Sequence, residues 1–227
     1  MCYNTVLFIM KTTKLIITAL LGVFINVATA ENYSLGTKYT SDYFFRGALN
    51  SEEAVQATVG VNGEHLGFNY SVEAFTNQAV SSGGSDSYII AAGGSKSFMD
   101  GLLNGYVGLN HTEDVPGNCL LEAKVSLSID TFLSPTASVY RNLDDSLYTY
   151  ELSLSHAVDI GVGELAIGGT AGSTDLSNTQ SEAYYAAGVG LSRKISESAT
   201  ATLDFTRVDS DLISEEYVVG LGISVSF

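Results

Sequence analysis

The sequence predicts an all-β fold, a transmembrane antiparallel up-and-down β-barrel of about 12 strands. The segment from Tyr217 to Phe227 places an apolar residue at every second position, opposed by small or polar residues. This alternation, closed by a terminal aromatic residue, is typical of a lipid-facing strand. Because a strand of a soluble β-sandwich alternates in the same way, the prediction depends on two further observations: an export signal and the repetition of the pattern along the chain.

The N-terminus predicts export from the cytoplasm. Lys11 and Lys14 precede an apolar run over residues 15–27, which ends in Ala28-Thr29-Ala30. A basic start, a short apolar stretch and small residues before the cleavage point are the features of a secretory signal peptide. The apolar run is shorter than the ~20 residues that a membrane-spanning helix needs. If the mature chain lies in a membrane, it therefore does so as a barrel.

This signal divides the chain into a cleaved signal peptide, residues 1–30, and a single barrel domain, residues 31–227. Met10 also precedes a complete signal peptide, so it is an alternative initiator to Met1. No linker or low-complexity segment divides the rest of the chain.

Composition excludes several classes of function. The formal net charge of -15 argues against nucleic acid as a partner, because phosphate contacts need basic residues. Of the two cysteines, Cys2 precedes the signal peptide and Cys119 is alone in the mature chain. We therefore expect no intramolecular disulfide, no metal site and no cofactor.

Apolar residues alternate with small or polar residues in 12 segments of about ten residues each, which is the length of a transmembrane strand. In the sixth segment, one face is apolar and the other carries Glu122, Lys124 and Asp130. The eighth segment alternates in the same way around Glu151. A count of ten strands remains open, because the fourth and seventh segments are weak and could merge with their neighbours.

The connections are expected to be short turns on the periplasmic side, where both termini lie, and longer acidic loops outside. The predicted turns are Asn62-Gly63-Glu64, Met99-Asp100-Gly101, Leu133-Ser134-Pro135, residues 159–163 and Ser196-Glu197. The predicted outer loops are residues 47–53, 77–86, 112–118, 142–145, 173–182 and 209–216. Asn-Gly and Asp-Gly favour tight hairpins, because these turns need positive φ values. A soluble sandwich would instead guard its edges with more lysines.

The segment Ser41-Asp42-Tyr43-Phe44-Phe45-Arg46-Gly47 resembles the N-terminal signature of the proteobacterial family of TorF-type putative porins. The resemblance covers about twenty residues in detail and the remainder only in architecture. It implies an outer-membrane channel of undetermined substrate.

Alternation also predicts which charged side chains line the lumen, the interior of the barrel, where charges must be hydrated or paired. Acids outnumber bases among them, which predicts a narrow, water-filled pore with a weak preference for cations. The predicted lumen residues are Lys38, Asp42, Arg46, Glu73, Glu122, Lys124, Asp130, Glu151 and Asp204.

Aromatic residues are expected in girdles at the two membrane interfaces. These are Tyr43, Phe45, Tyr148, Tyr217 and Phe227. In the first strand, Asp42 and Arg46 share a face but lie about 13 Å apart along it. Two hypotheses follow: each is clamped by a charge on a neighbouring strand, or the two control permeation at the mouth.

No catalytic pattern is apparent, and we expect no enzyme. His156 and His111 fall on apolar faces, and Leu154 and Val158 occupy the positions beside His156 where a Ser-His pair would need its serine. The sequence thus predicts an outer-membrane porin for small hydrophilic solutes. The alternative is a non-conducting barrel that acts through acidic loops. Expected partners are outer-membrane lipid and, through the C-terminal strand, the barrel assembly machinery.

Overall fold

The computed structural model describes residues 32–81, 84–114 and 118–227. These residues form a closed antiparallel barrel in which each strand pairs with its neighbours in sequence and the first pairs with the last. The strands are β1 (Asn32–Phe45), β2 (Ala48–His65), β3 (Phe68–Ala79), β4 (Ser87–Phe98), β5 (Leu103–Asp114), β6 (Asn118–Ile129), β7 (Thr136–Asn142), β8 (Tyr148–Asp159), β9 (Glu164–Ser177), β10 (Gln180–Lys194), β11 (Ala199–Ser210) and β12 (Glu216–Ser226).

Closure confirms the predicted fold class and decides between ten strands and twelve in favour of twelve. The register of β1 with β12 runs from Ser34 opposite Ser226 to Thr40 opposite Gly220. This pairing satisfies the backbone groups of both edge strands, as a barrel in a membrane requires. Among the described residues, no helix has the length and apolar character needed to cross a membrane. The predicted signal peptide, residues 1–30, lies outside the described residues.

The barrel is apolar outside and polar inside. Large apolar side chains along one face of each strand are exposed on the outer wall, whereas the opposite faces carry buried or half-buried polar and small residues. This is the reverse of a soluble domain and the arrangement that a lipid surround stabilises. The exposed apolar residues of the wall include Leu35, Val59, Leu109, Val125, Leu127, Leu152, Leu154, Ile167, Leu203, Leu221 and Ile223.

We call the end of the barrel that carries Asn32 and Phe227 the termini end, and the opposite end the loop end. The connections at the termini end are residues 66–67, 99–102, 130–135, 160–163 and 195–198. Those at the loop end are residues 46–47, 80–81 with 84–86, 143–147, 178–179 and 211–215. Residues 82–83, and residues 115–117 of the predicted loop 112–118, lie outside the described residues.

Most connections at the loop end are shorter than the sequence predicts, and the exception is 143–147, which is one residue longer than the predicted loop 142–145. Two of the expected long loops are tight turns at 46–47 and 178–179, because the flanking strands stay paired up to Phe45 opposite Ala48 and Gln180 opposite Ser177. Polar strand segments that extend beyond the apolar wall have the composition of a loop, which explains the error.

One predicted turn lies elsewhere. Asn62 and Gly63 are inside β2, and the turn to β3 is Leu66-Gly67, with φ values of 53° and 75°. Gly63 pairs with Tyr70. A Cβ at position 63 would meet the Tyr70 ring, so this glycine makes room for a cross-strand aromatic residue instead of forming a turn. The predicted turn at Met99-Asp100-Gly101 is present, with all three φ values positive.

Candidate functional site: the lumen

Six of the predicted lumen residues lie on strand faces opposite the exposed apolar wall. β-sheet alternation therefore directs them into the barrel. They are Lys38 on β1, Glu73 on β3, Glu122 and Lys124 on β6, Glu151 on β8 and Asp204 on β11. Asp42 near the end of β1 lines a cavity of about 360 Å³ inside the barrel, together with Lys38 and Asp204.

Asp130 does not belong to this wall. It lies after the end of β6, in the connection 130–135 at the termini end, and its side chain is exposed. The alternation of the sixth segment continues one residue past Ile129, the last paired residue of β6, so periodicity alone places Asp130 in the wall.

Arg46 crosses the lumen. It occupies the β1–β2 turn with φ 51°, and its guanidinium donates to both carboxylate oxygens of Glu122, with Nη1–Oε1 at 2.6 Å and Nη2–Oε2 at 2.5 Å. Strands β1 and β6 are not neighbours in the barrel, so this pair spans the interior. We call Arg46 and Glu122 the cross-lumen pair.

The turn that carries Arg46 is held inward by its own contacts. The Ser210 hydroxyl donates to the Gly47 carbonyl oxygen at 2.9 Å. A Cβ at position 47 would collide with the side chains of Tyr184 and Ser210, and Gly47 has a φ of 80°. Glycine is therefore needed here both for backbone conformation and for close packing.

Burial and aromatic contacts reinforce the cross-lumen pair. The side chains of Arg46 and Glu122 are 12% and 3% exposed. The guanidinium carbon lies 4.9 Å from the centre of the Phe45 ring and 4.7 Å from that of Tyr140. A bidentate pair between aromatic faces is among the strongest charged contacts available to a protein.

A second group of polar contacts surrounds Glu151 beside the cross-lumen pair. The hydroxyls of Tyr140 and Tyr184 donate to its two carboxylate oxygens at 2.8 and 2.6 Å. Lys124 lies over the rings of Tyr106 and Tyr140, with Nζ 5.5 and 5.0 Å from the ring centres. Large charged and aromatic side chains thus cross the lumen in its loop-end part.

Lys38 and Asp204 form a separate ion pair against the wall. The Lys38 ammonium donates to Asp204 Oδ2 at 2.9 Å, and the two side chains are 36% and 26% exposed. Strand β12 lies between their strands, and a Cβ at Gly220 would overlap both side chains. Gly220 therefore makes the space in which this pair forms.

Of the predicted lumen acids, Asp42 and Glu73 form neither an ion pair nor a side-chain hydrogen bond among the described residues. Glu151 also has no cationic partner there, but it accepts the two tyrosine hydrogen bonds. The predicted pairing of Asp42 with a charge on a neighbouring strand is therefore not seen in this part of the chain. Of the predicted lumen residues that lie inside the barrel, three are cations (Lys38, Arg46, Lys124) and five are acids (Asp42, Glu73, Glu122, Glu151, Asp204). The lumen carries a net negative charge.

Tyr43 differs from its predicted place in the outer aromatic girdle. The pairing of β1 with β2 shifts between Tyr43 and Phe44, which interrupts the alternation. Tyr43 then packs against Phe75, an inward residue of β3, with ring centres 5.7 Å apart and ring planes tilted by 43°. Phe45 contacts the Arg46 guanidinium in the turn. A β-bulge redirects side chains in this way and cannot be read from periodicity.

The other predicted girdle residues lie on the outer wall or at its edge. Tyr148 stacks on Tyr150 and Tyr217 on Phe205, with ring centres 6.1 and 5.6 Å apart. Phe227 is exposed at the termini end, where its backbone exchanges two hydrogen bonds with Tyr33.

Buried amides and hydroxyls fill the interior beside Tyr43. The Gln56 amide donates to Asn77 Oδ1 at 3.1 Å, and the Asn77 amide donates to Ser51 Oγ at 3.0 Å. Asn77 is fully buried and Ser51 is 2% exposed. Such a satisfied network fixes the inner surface of β2 and β3 and narrows the lumen there.

The lumen also contains aromatic side chains that are not among the predicted lumen residues. Phe75, Tyr106, Tyr140 and Tyr184 all face inward, although aromatic residues usually mark the lipid interface. The alternation of the seventh and tenth segments contains the signal, because Tyr140 and Tyr184 are in phase with Ser138 and Gly188.

The candidate hydrolase residue His156 lies on the outer wall at the end of β8. It packs against Phe132, with ring centres 4.0 Å apart. This is the environment of an interfacial aromatic side chain.

Comparison with known proteins identifies the fold. The chain matches no family model, and no curated protein matches it. Among solved structures, it is similar to the KdgM porin with a TM-score of 0.57 and 13% identity, over 86% of this chain and 99% of that chain. It is also similar to the COG4313 outer membrane channel from Pseudomonas putida F1, with a TM-score of 0.58 and 9% identity over 88% and 96% of the two chains.

A third similar structure is the NanC porin, with a TM-score of 0.55 and 13% identity over 85% of this chain and 98% of that chain. At these identities the likeness establishes the fold. The chain has the fold of porin-like outer-membrane barrels, and its apolar outer wall is the surface that such a membrane requires.

Proposed function

We propose that the protein is an outer-membrane channel through which small hydrophilic solutes diffuse passively, with a weak preference for cations. The observation that carries the proposal is a polar interior of net negative charge within a closed barrel. Fixed acids in a confined channel raise the local concentration of cations and lower that of anions. The fold shared with porins and the TorF-like segment 41–47 support the same function.

The charge of the lumen also indicates which class of solute the channel would pass. One similar structure is the KdgM porin in complex with disordered oligogalacturonate, a sugar chain that carries carboxylates. The acid excess in this lumen would repel such a ligand, whereas neutral or cationic solutes would not be repelled. We propose that this channel passes the latter. Recognition of β12 and Phe227 by the barrel assembly machinery stays a prediction.

A non-conducting barrel is the second candidate, and a specific observation favours it. The cross-lumen pair and the side chains around Glu151 together extend across the lumen in its loop-end part. If they do not leave a continuous water path, the barrel is closed, and its function would lie at its surface.

Single-channel recording distinguishes the two functions. The protein, purified from membranes and shown to be folded by heat-modifiable gel mobility, is inserted into a planar bilayer under a salt gradient. We expect reproducible steps of current, and a reversal potential whose sign shows that cations pass more readily than anions. Replacing the two unpaired acids, Asp42→Asn with Glu73→Gln, is expected to move the reversal potential towards zero.

Glu197→Gln is the matched control, because it removes an exposed acid of the connection 195–198 and leaves the lumen unchanged. It should leave the reversal potential where it was. A reversal potential that shows faster passage of anions than of cations would contradict the cation preference. Absence of steps from a folded, inserted protein would reject the channel and favour the closed barrel.

A further inference from the structure

Three side chains with metal-ligating atoms meet on the outer wall near the loop end. Glu113 on β5 lies directly opposite Cys119 on β6, and His111 lies two residues before Glu113 on the same face. Alternation places all three outside the barrel, in phase with Leu109 and Leu121. We call these three residues the His-Glu-Cys cluster.

The donor atoms of the cluster are already close together. A ring nitrogen of His111, a carboxylate oxygen of Glu113 and the Cys119 sulfur all lie within 4.8 Å of one another. Tetrahedral Zn²⁺ bonds of about 2.0 to 2.3 Å place donor atoms roughly 3.3 to 3.8 Å apart. The remaining difference is about 1 to 1.5 Å, a distance of the size that a change of side-chain rotamer covers.

No other side-chain contact explains why the donor atoms of these three residues lie so close together. Among the described residues, none of the three side chains forms an ion pair or a hydrogen bond with another side chain. A cysteine binds a metal ion as the thiolate, so binding would release the proton of the Cys119 thiol. Two anionic ligands and a neutral imidazole around a divalent cation give a site of zero net charge.

We propose that the His-Glu-Cys cluster binds one divalent transition metal ion of the Zn²⁺ class. The ligands are an imidazole nitrogen of His111, the carboxylate of Glu113 and the thiolate of Cys119, with water at the fourth position. A donor set of sulfur, nitrogen and oxygen selects Zn²⁺ and its neighbours over Mg²⁺ or Ca²⁺, which prefer oxygen ligands. The site lies on the outer wall and is independent of conduction through the lumen.

Co²⁺ provides the direct test, because its bond to a thiolate gives a charge-transfer absorption that oxygen and nitrogen ligands do not produce. The detergent-solubilised protein, kept reduced with a phosphine, is titrated with Co²⁺ and then with Zn²⁺. We expect the absorption to saturate at one Co²⁺ per chain and to disappear on addition of Zn²⁺.

Single-residue variants assign the ligands. Cys119→Ser should abolish the absorption, and His111→Ala and Glu113→Gln should each weaken Co²⁺ binding at least about tenfold, the lower limit seen even for outer partners of a metal. His65→Ala, at the far end of β2, is the matched control and should bind as the parent does. Gel mobility checks that each variant is folded.

Two results would overturn the proposal. One is the absence of a thiolate charge-transfer band in the folded, reduced parent protein. The other is a band whose titration is unchanged in both His111→Ala and Glu113→Gln, which would mean that Cys119 binds Co²⁺ adventitiously and without the cluster.

Discussion

At the scale of single residues, the two ion pairs of the lumen differ in their surroundings. The cross-lumen pair of Arg46 and Glu122 is bidentate and buried, whereas Lys38 and Asp204 share one contact and stay partly exposed. Loss of one partner from a buried pair leaves an uncompensated charge, while a partly exposed pair is screened by water. Replacing one partner by alanine should therefore lower the free energy of unfolding much more in the cross-lumen pair than in the pair of Lys38 and Asp204.

Arg46→Ala should lower the free energy of unfolding by about 3 to 5 kcal/mol, because the Glu122 carboxylate would stay buried without a partner. Lys38→Ala is the matched control and should cost about 1 kcal/mol or less. Denaturant unfolding followed by the circular dichroism of the strands measures both, since the chain contains no tryptophan. Equal losses in the two variants would show that Glu122 is hydrated and that the cross-lumen pair is not buried.

Alternation predicts which residues face the lumen, but it does not predict which of them meet. Lys38 and Glu122 can be placed inside from the period of two alone. Their partners Asp204 and Arg46 are far away in the sequence, and the contacts depend on the number of strands and their register. The His-Glu-Cys cluster escaped detection for the same reason, because Glu113 and Cys119 become neighbours only through the pairing of β5 with β6.

At the scale of elements, strands were more predictable than turns. Each strand repeats its pattern over about ten residues, whereas a turn depends on one or two. Asn62-Gly63 has the composition of a hairpin turn, yet it continues β2, and the turn is formed by Leu66-Gly67. Residues 62–65 of β2 pair with residues 68–71 of β3, and the backbone hydrogen bonds of this pairing outweigh the local preference of Asn-Gly for a turn.

Leu66→Asn should stabilise the barrel by about 0.5 to 1 kcal/mol. Leu66 has a φ of 53° and is 84% exposed, so its side chain gains little from packing and carries the strain of a left-handed conformation. Asparagine tolerates this conformation, and Asn-Gly is the preferred pair in such two-residue turns. Unfolding in denaturant measures the gain.

Leu102→Asn is the control for that substitution, since Leu102 lies in a connection at the same end and has no positive φ. It should give no stabilisation. Equal gains from both variants would attribute the effect to the loss of an exposed leucine and not to the backbone of the turn.

At the scale of the whole molecule, the fold inverts the usual distribution of polarity, and its function depends on how much of the interior remains open. The cross-lumen pair ties the β1–β2 turn to β6 on the other side of the barrel. It is neutral as a unit, so it obstructs the lumen without adding to its charge. If the protein conducts as proposed, different residues should therefore set the width of the lumen and its ion preference: the pair limits the width, and the excess acids, with Asp42 and Glu73 among them, favour cations.

The double variant Arg46→Ala/Glu122→Ala tests this separation. Because both charges leave together, no buried ion is stranded, and the barrel should fold. Single-channel conductance should rise, since the obstruction is gone, while the reversal potential under a salt gradient should stay the same, since the net charge of the lumen does not change. Lys38→Ala/Asp204→Ala, which removes a neutral pair from the wall, is the control and should alter conductance less. An unchanged conductance in a folded Arg46→Ala/Glu122→Ala barrel would show that the narrowest point lies elsewhere, with the tyrosines around Glu151 as the next residues to truncate.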